Sequence, residues 1–317
     1  MPRLRSGVKN FPPRTIAAYA KLNLALAVGP PQPPRGFHPI ASWIVAIDLH
    51  DTLTLERLPE GEASRFEIRW AADAPKPTPI DWPVAKDLAA RAHALLEERA
   101  GRVLPIALTL DKRNPVGGGL GGGSSDAAGT LVGLNEMFDL GIARAELAIL
   151  SAGLGSDIAF FIDDGSVARP ALVLGLGDRI ERLAPVPVAE VLLIIPPFGC
   201  PTGPVYGAFD RGPMADADEK RVRKIIAEAR RSGGIPSGSL FNDLAAPACE
   251  VEPRLRETLG VLRAAVGPRT PIHVTGSGST MFCLPDWPGT DRPGADRVEG
   301  VLRAARPELV VVRARTM

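Results

Sequence analysis

The chain has 317 residues, more than one compact domain usually holds, and 45% of them are hydrophobic against 23% charged, the balance of an ordinary globular protein. Thirty-seven basic residues face thirty-six acidic ones, so no chain-wide field selects nucleic acid or an anionic membrane as partner. Three scattered cysteines (Cys200, Cys249, Cys283) and four scattered histidines (His38, His50, His93, His273) exclude a disulfide framework or a metal cluster, and no apolar run reaches the ~20 residues that span a bilayer.

In chain order, Arg3, Arg5, Lys9 and Arg14 precede a fairly apolar stretch, residues 15–29. This is the outline of a signal peptide, but Lys21 and Asn23 interrupt it and a charge there opposes insertion. Residues 18–26 alternate instead, with Leu22, Leu24 and Leu26 on one face and Lys21, Asn23 and Ala25 on the other. That period predicts a half-buried strand carrying a lysine and an asparagine side by side. Alternation at 52–58, 66–70 and 106–110 predicts further strands, with a helix over 84–99 and Pro-rich surface connections at 29–36 and 74–83. Ala127, Leu131, Leu134 and Phe138 recur at helical spacing and predict a helix over 124–138, capped by Ser124, Ser125 or Asp126. A second helix near 143–152 ends at Gly153, before the short loop Gly155-Ser156-Asp157 and an apolar run, 158–162.

The character of the chain changes around residues 185–187. Beyond them the pattern predicts a buried strand at 191–195, helices over 214–231 and 252–266, two strands flanking a glycine turn within 272–284, a helix near 295–305 and a last strand at 309–313. Strands and helices mixed this way describe an α+β protein. The expected division is an N-terminal domain, 1–185, and a C-terminal domain, 186–317.

The most informative stretch is Pro115-Val116-Gly117-Gly118-Gly119-Leu120-Gly121-Gly122-Gly123-Ser124-Ser125-Asp126. Six glycines in seven positions let the backbone adopt positive φ and approach a ligand closely. The N–H groups of such a loop form a nest for an anion, and the helix that follows adds unpaired donors and the positive end of its dipole. Phosphate is the natural guest, with Ser124 and Ser125 supplying hydroxyls. A flexible linker would not be preceded by a strand and followed at once by an amphipathic helix. The lysine of a P-loop is missing. The dinucleotide fingerprint is disfavoured because residues 111–116 intervene between strand and glycines and no acidic residue ends a following strand.

This loop, with Ala20-Lys21-Leu22-Asn23-Leu24 before it and Val274-Thr275-Gly276-Ser277-Gly278-Ser279 after it, resembles the three motifs of the GHMP kinases. Supporting stretches are Gly36-Phe37-His38-Pro39-Ile40, Leu154-Gly155-Ser156-Asp157-Ile158-Ala159-Phe160-Phe161 and Asn242-Asp243-Leu244-Ala245-Ala246-Pro247-Ala248. Together they are most similar to the branch of the family whose acceptor is a cytidyl-linked methylerythritol. The resemblance implies a two-lobed α+β kinase: an N-terminal ribosomal-protein S5 domain 2-like lobe and a C-terminal ferredoxin-like lobe, with ATP and Mg2+ meeting the acceptor between them. The γ-phosphate would pass to the 2-hydroxyl of the methylerythritol unit. Two departures stand out. The family's usual Gly-Tyr-His is Gly36-Phe37-His38 here, and residues 29–35 are Pro-rich where an Arg-x-Asp-Gly stretch is common.

Phosphoryl transfer needs in-line positioning, neutralisation of γ-phosphate charge and a group that takes the attacking hydroxyl's proton. On its own pattern Asp157 suits either that last role or the N-cap of a helix starting at Ile158; the resemblance implies the catalytic one. Lys21, by itself a strand lysine like any other, becomes the cation paired with the catalytic aspartate. The same resemblance assigns ATP to residues 115–125, and the acceptor to Asn23, Phe37, His38, Thr202 and Tyr206, with Tyr206 stacked on cytosine. Simple packing is the alternative for His38 and Tyr206, and a tight β-turn for Ser277 and Gly278. Apart from Asp157 no carboxylate suggests itself for magnesium, which phosphates, water and a loop serine would hold. The competing functions are a kinase of homoserine, mevalonate or a sugar, and a catalytically silent nucleotide-binding module. The flanking segments oppose the first, and the presence of both Lys21 and Asp157 opposes the second. The expected setting is cytoplasmic, as a monomer or homodimer without nucleic-acid or membrane partners.

Overall fold

A computed structural model describes residues 12–34, 36–213, 215–285 and 294–317; Arg3, Arg5, Lys9, Arg35 and Met214, which entered the sequence argument, lie outside these. The alternating segment near the N-terminus belongs to a fifteen-residue strand, β1 (Arg14–Val28), antiparallel to the longer β2 (Ile40–Arg57). β3 (Arg65–Trp70) runs parallel to β4 (Ile106–Lys112), and the crossover between them carries α1 (Leu88–Ala100). Then come α2 (Gly122–Met137), α3 (Arg144–Ser151), the one-turn α4 (Ile158–Phe161), and a hairpin of β5 (Ala171–Gly175) and β6 (Arg179–Arg182). The remainder is β7 (Glu190–Ile195), α5 (Thr202–Phe209), α6 (Glu219–Ser232), β8 (Phe241–Asn242), α7 (Ala245–Val251), α8 (Pro253–Val266), β9 (His273–Val274), β10 (Met281–Cys283), α9 (Ala295–Ala305) and β11 (Val310–Arg315).

Among the described residues these strands form two sheets. The first has the order β3-β4-β2-β1-β8, with β5 paired to the early part of β2 and β6 to β5. The second is β11-β7-β10-β9, antiparallel throughout. Numbered within that lobe, the order is 4-1-3-2, with helices connecting first to second and third to fourth strand. This is the βαββαβ arrangement of a ferredoxin-like lobe. One face of the first sheet packs Leu53, Leu55, Leu108 and Leu110 against Leu96, Leu131 and Leu134 of α1 and α2. Its other side shares a core with the second sheet, where Leu22, Leu24 and Trp43 meet Leu193 and Phe282. Burying each such side chain stabilises the fold by roughly 1.5–3 kcal/mol, so an apolar joint fixes how the two lobes sit.

Several elements differ from the sequence expectation. β1 is not half-buried: Lys21, Leu22, Asn23 and Leu24 are all buried, because a turn of the second lobe covers the polar face. The first half of β2 carries no alternation that marks a strand, since residues 41–47 are apolar apart from Ser42 and buried on both faces. The helix expected over 84–99 divides at Asp87, whose carboxylate accepts from Ala89 N–H and caps α1. The helix expected from residue 214 starts at Glu219 behind its cap Asp218. The run 158–162 is the helical turn α4. α5 was missed because Gly203, Pro204 and Gly207 look like breakers; burial of Val205 and Ala208 overrides them.

Candidate active site

The glycine loop leaves β4 and enters α2 through Gly121, whose φ of 72° makes it a left-handed N-cap without a side-chain bond. The expected caps Ser124, Ser125 and Asp126 therefore lie inside the helix, and the first-turn N–H groups are left for an anion. Residues 115–124 line a cavity of about 460 Å³ together with Lys112 and Asn114. Ser124 borders it. Ser125 does not: it is buried and faces a separate recess beside Arg14 and Glu136.

Glycine is required where the second lobe and β1 touch the loop. At Gly119 (φ 74°) a Cβ would stand 2.4 Å from the Thr275 carbonyl oxygen, and at Gly121 one would stand 2.9 Å from Lys21 Cγ. The turn through residues 275–280 is seated on the loop: Thr280 N–H donates to the Gly118 carbonyl (3.3 Å), and Asn23 N–H donates to Thr275 Oγ1 (3.1 Å). Asn242 holds that turn from behind by donating to the Val274 and Gly276 carbonyls, both at 2.8 Å.

Beside this contact lies the charged pair. Lys21 Nζ is 3.3 Å from Asp157 Oδ2 and donates to Asn23 Oδ1 at 2.5 Å. Lys21 N–H is itself tied to the Leu120 carbonyl of the glycine loop at 2.9 Å. The lysine side chain is 3% exposed and the aspartate 35%, so only the aspartate is open to a ligand. Asp157 precedes α4 but makes no capping bond; its side chain turns to Lys21 instead. Asn23 is also spoken for. Its Nδ2 donates to Ser42 Oγ (2.9 Å), and the Ser42 hydroxyl donates onward to the Ala25 carbonyl (2.8 Å). That chain fixes the orientation of the carboxamide and makes Oδ1 the acceptor for Lys21. Asn23 thus orients the lysine, where the sequence suggested a contact to the acceptor's base.

The other candidates separate into three places. His38 Nδ1–H donates to the Gly29 carbonyl (2.9 Å), and its ring lies 4.8 Å from that of Tyr206 and 5.8 Å from Phe209. Burial, together with the negative charge of Asp157, pushes the Tyr206 hydroxyl up to about 12, so Tyr206 is neutral and close to the catalytic candidate. Thr202 borders the phosphate cavity, its Oγ1 3.0 Å from Ser277 Oγ. Phe37 stands apart at 54% exposure, on a different cavity with Ile149 and Leu176.

One cluster escaped the sequence argument. Under the loop, Lys112 Nζ bonds Asp51 Oδ2 (2.7 Å) and Asp126 Oδ2 (2.8 Å), all three buried. Asp51 Oδ1 accepts from the backbone N–H groups of Arg113 (2.5 Å) and Asn114 (2.6 Å), where the loop begins. Burial works against the Lys112 ammonium, but the charges of Asp126 and Asp51 outweigh it and hold its pKa above the ordinary value. Burial raises Asp126 well above the usual carboxylate range, with Lys112 pulling the other way. The signal was present in the sequence: Lys112 is in phase with Ile106, Leu108 and Leu110 on the buried face of β4.

A glycine nest at a helix start, a buried lysine joined to a half-open aspartate, and a ferredoxin-like lobe closing over both define an ATP-dependent small-molecule kinase of the GHMP type. Residues 87–165 match the GHMP kinases N terminal domain. The chain is 34% identical to the 4-diphosphocytidyl-2-C-methyl-D-erythritol kinase of Moorella thermoacetica, over 94% of this chain and 98% of that protein. It is 36% identical to the enzyme of the same name from Pelotomaculum thermopropionicum, over 94% and 97%. A crystal structure of 4-(cytidine 5'-diphospho)-2C-methyl-D-erythritol kinase superposes with a TM-score of 0.70 at 29% identity, covering 96% of this chain and 99% of that one. The chain belongs to the 4-diphosphocytidyl-2-C-methyl-D-erythritol kinase family of GHMP kinases.

Proposed function

We propose that this enzyme transfers the γ-phosphate of ATP to the 2-hydroxyl of 4-diphosphocytidyl-2-C-methyl-D-erythritol, a step of non-mevalonate isoprenoid precursor synthesis. The observation that carries the proposal is the Lys21–Asp157 pair beside the glycine loop. The family names supply the acceptor. The loop N–H groups hold the phosphates, and the acceptor hydroxyl is seated against Asp157. Its oxygen bonds to the γ-phosphorus as the bond from that phosphorus to the β–γ bridging oxygen breaks; ADP leaves, and the hydroxyl proton passes to Asp157. Lys21, held by Asn23 and the Leu120 carbonyl, orients the aspartate and stabilises charge developing on the transferred group.

The donors around the cavity suit a magnesium ion carried in with ATP: Ser124 offers one hydroxyl, and phosphate oxygens and water complete the shell of a hard cation that binds few protein groups. Tyr206 and His38 form the aromatic wall for the cytosine ring, and stacking on such a wall contributes roughly 1–3 kcal/mol per base. The division near residue 185 into an ATP-binding lobe and a ferredoxin-like lobe follows the gap between β6, ending at Arg182, and β7, starting at Glu190. Three buried cysteines, all free thiols, fit a cytoplasmic setting; no helix among the described residues is long and apolar enough to cross a membrane.

ADP release measured against a panel of alcohols tests the proposal. Turnover with the cytidyl-linked acceptor, and none with homoserine, mevalonate or simple sugars, is expected. A Tyr206→Ala variant should raise KM for that acceptor about tenfold or more; an unchanged KM would remove Tyr206 from the acceptor site.

A further inference from the structure

The Lys21 ammonium is placed by an amide, and the amide by a fully buried hydroxyl. Ser42 lies in β2, two residues from Ile44, which is the partner of Asn23 across the β1–β2 pair. Residues two apart share a face of a strand, so the Ser42 hydroxyl meets the Asn23 side chain. In the same register no β2 residue stands opposite Leu24. A one-residue bulge of this kind re-aims the groups beside it, and the Ala25 carbonyl that follows accepts the Ser42 hydroxyl proton at 2.8 Å. We propose that Ser42 is a positioning residue for phosphoryl transfer, one that fixes the Lys21 ammonium against Asp157 through the orientation of the Asn23 carboxamide. The inference rests on the kinase reading above and deepens it.

A serine hydroxyl carries a single hydrogen. Here the Ala25 carbonyl takes it, so toward Asn23 the Ser42 oxygen can only accept, and it accepts from Nδ2 at 2.9 Å. The amide nitrogen is thereby committed to β2, and Oδ1 is left to accept from Lys21 Nζ at 2.5 Å. The reversed carboxamide would set an N–H against the ammonium and its oxygen against the hydroxyl lone pairs. Both contacts are repulsive, and burial makes them costly. With one donor held by Oδ1, the ammonium stands 3.3 Å from Asp157 Oδ2 and keeps its other donors for the aspartate and the transferred group. An alanine at position 42 would leave a buried N–H without its acceptor. The carboxamide then loses its single orientation, and the lysine its fixed anchor.

Steady-state kinetics with ATP and the cytidyl-linked acceptor, on the full chain carrying Ser42→Ala, Ser42→Thr or Asn23→Ala, test the proposal. Ser42→Ala should lower kcat about tenfold or more, with KM for ATP and for the acceptor within about twofold. Ser42→Thr restores the hydroxyl and should bring kcat back to within about threefold of the unaltered enzyme. In the double variant Ser42→Ala/Asn23→Ala, kcat should match that of Asn23→Ala alone, because Ser42 acts only through the carboxamide. Losses that multiply in the double variant, or a raised KM at constant kcat in Ser42→Ala, overturn the proposal. A second readout needs no turnover. The Cε resonance of Lys21 in protein labelled with carbon-13 lysine, assigned by its loss in Lys21→Met, should move in Ser42→Ala and return in Ser42→Thr. A resonance that stays in place in Ser42→Ala overturns the proposal as well. If the unaltered enzyme left the cytidyl-linked acceptor unphosphorylated, the kinase reading would fall, and the lysine resonance would still decide the role of Ser42.

Discussion

At the scale of single residues, the chemistry rests on a lysine removed from water and an aspartate that is not. Lys21→Met and Asp157→Asn should each lower kcat at least a hundredfold, on the order of 3 kcal/mol, in variants that stay folded by circular dichroism. Near-normal turnover in either would break the assignment. Asn23→Ala should lower kcat while leaving KM for the acceptor almost unaltered, since its carboxamide holds Lys21; the opposite pattern, a raised KM at constant kcat, would return Asn23 to the acceptor. That Lys21 and Asn23 share a face was legible, because a strand repeats every two residues. Their burial was not. The cover comes from Thr275 and its turn, some 250 positions away, and no local pattern reports such a contact.

At the scale of elements, the glycine loop is held from below by charge and from above by the turn of the second lobe. Gly119→Ala adds a Cβ at 2.4 Å from the Thr275 oxygen in a left-handed backbone, so the loop must shift, and ATP affinity measured by calorimetry should fall at least tenfold while the acceptor still binds. Lys112→Met leaves Asp51 and Asp126 facing each other without their cation. Urea unfolding should then show a loss of about 3–5 kcal/mol, the cost of breaking a buried pair from one side; a loss below 1 kcal/mol would mean that water or a proton already compensates them. The loop and its helix could be read because glycine content and helical spacing are local. The early half of β2 and all of α5 could not. The first is buried on both faces, so its residues, apolar apart from Ser42, do not alternate, and the second keeps its helix through the burial of Val205 and Ala208 despite two glycines and a proline.

At the scale of the whole molecule, a shared apolar core joins the two sheets and fixes the cleft between them. The α+β class followed from the order of predicted elements, whereas the 4-1-3-2 strand order and the return of β8 to β1 are pairings between distant segments that the sequence leaves unspecified. Global stability should carry the mark of His273 in the second sheet. Burial lowers its pKa from 6.5 to about 4, with the Ser237 carbonyl as the acceptor of its Nε2–H. The unfolded chain then binds a proton that the folded one refuses, so stability falls as pH drops from about 6.5 toward 4, by on the order of 3 kcal/mol. His273→Gln should flatten that limb of the pH–stability curve; an unaltered slope would place its origin elsewhere. The central claim is the transfer itself, and phosphorus NMR of a reaction containing ATP and 4-diphosphocytidyl-2-C-methyl-D-erythritol tests it most directly. A new phosphomonoester on the 2-hydroxyl, formed one for one with ADP, is the predicted result; no phosphomonoester, or one on a different hydroxyl, would contradict it.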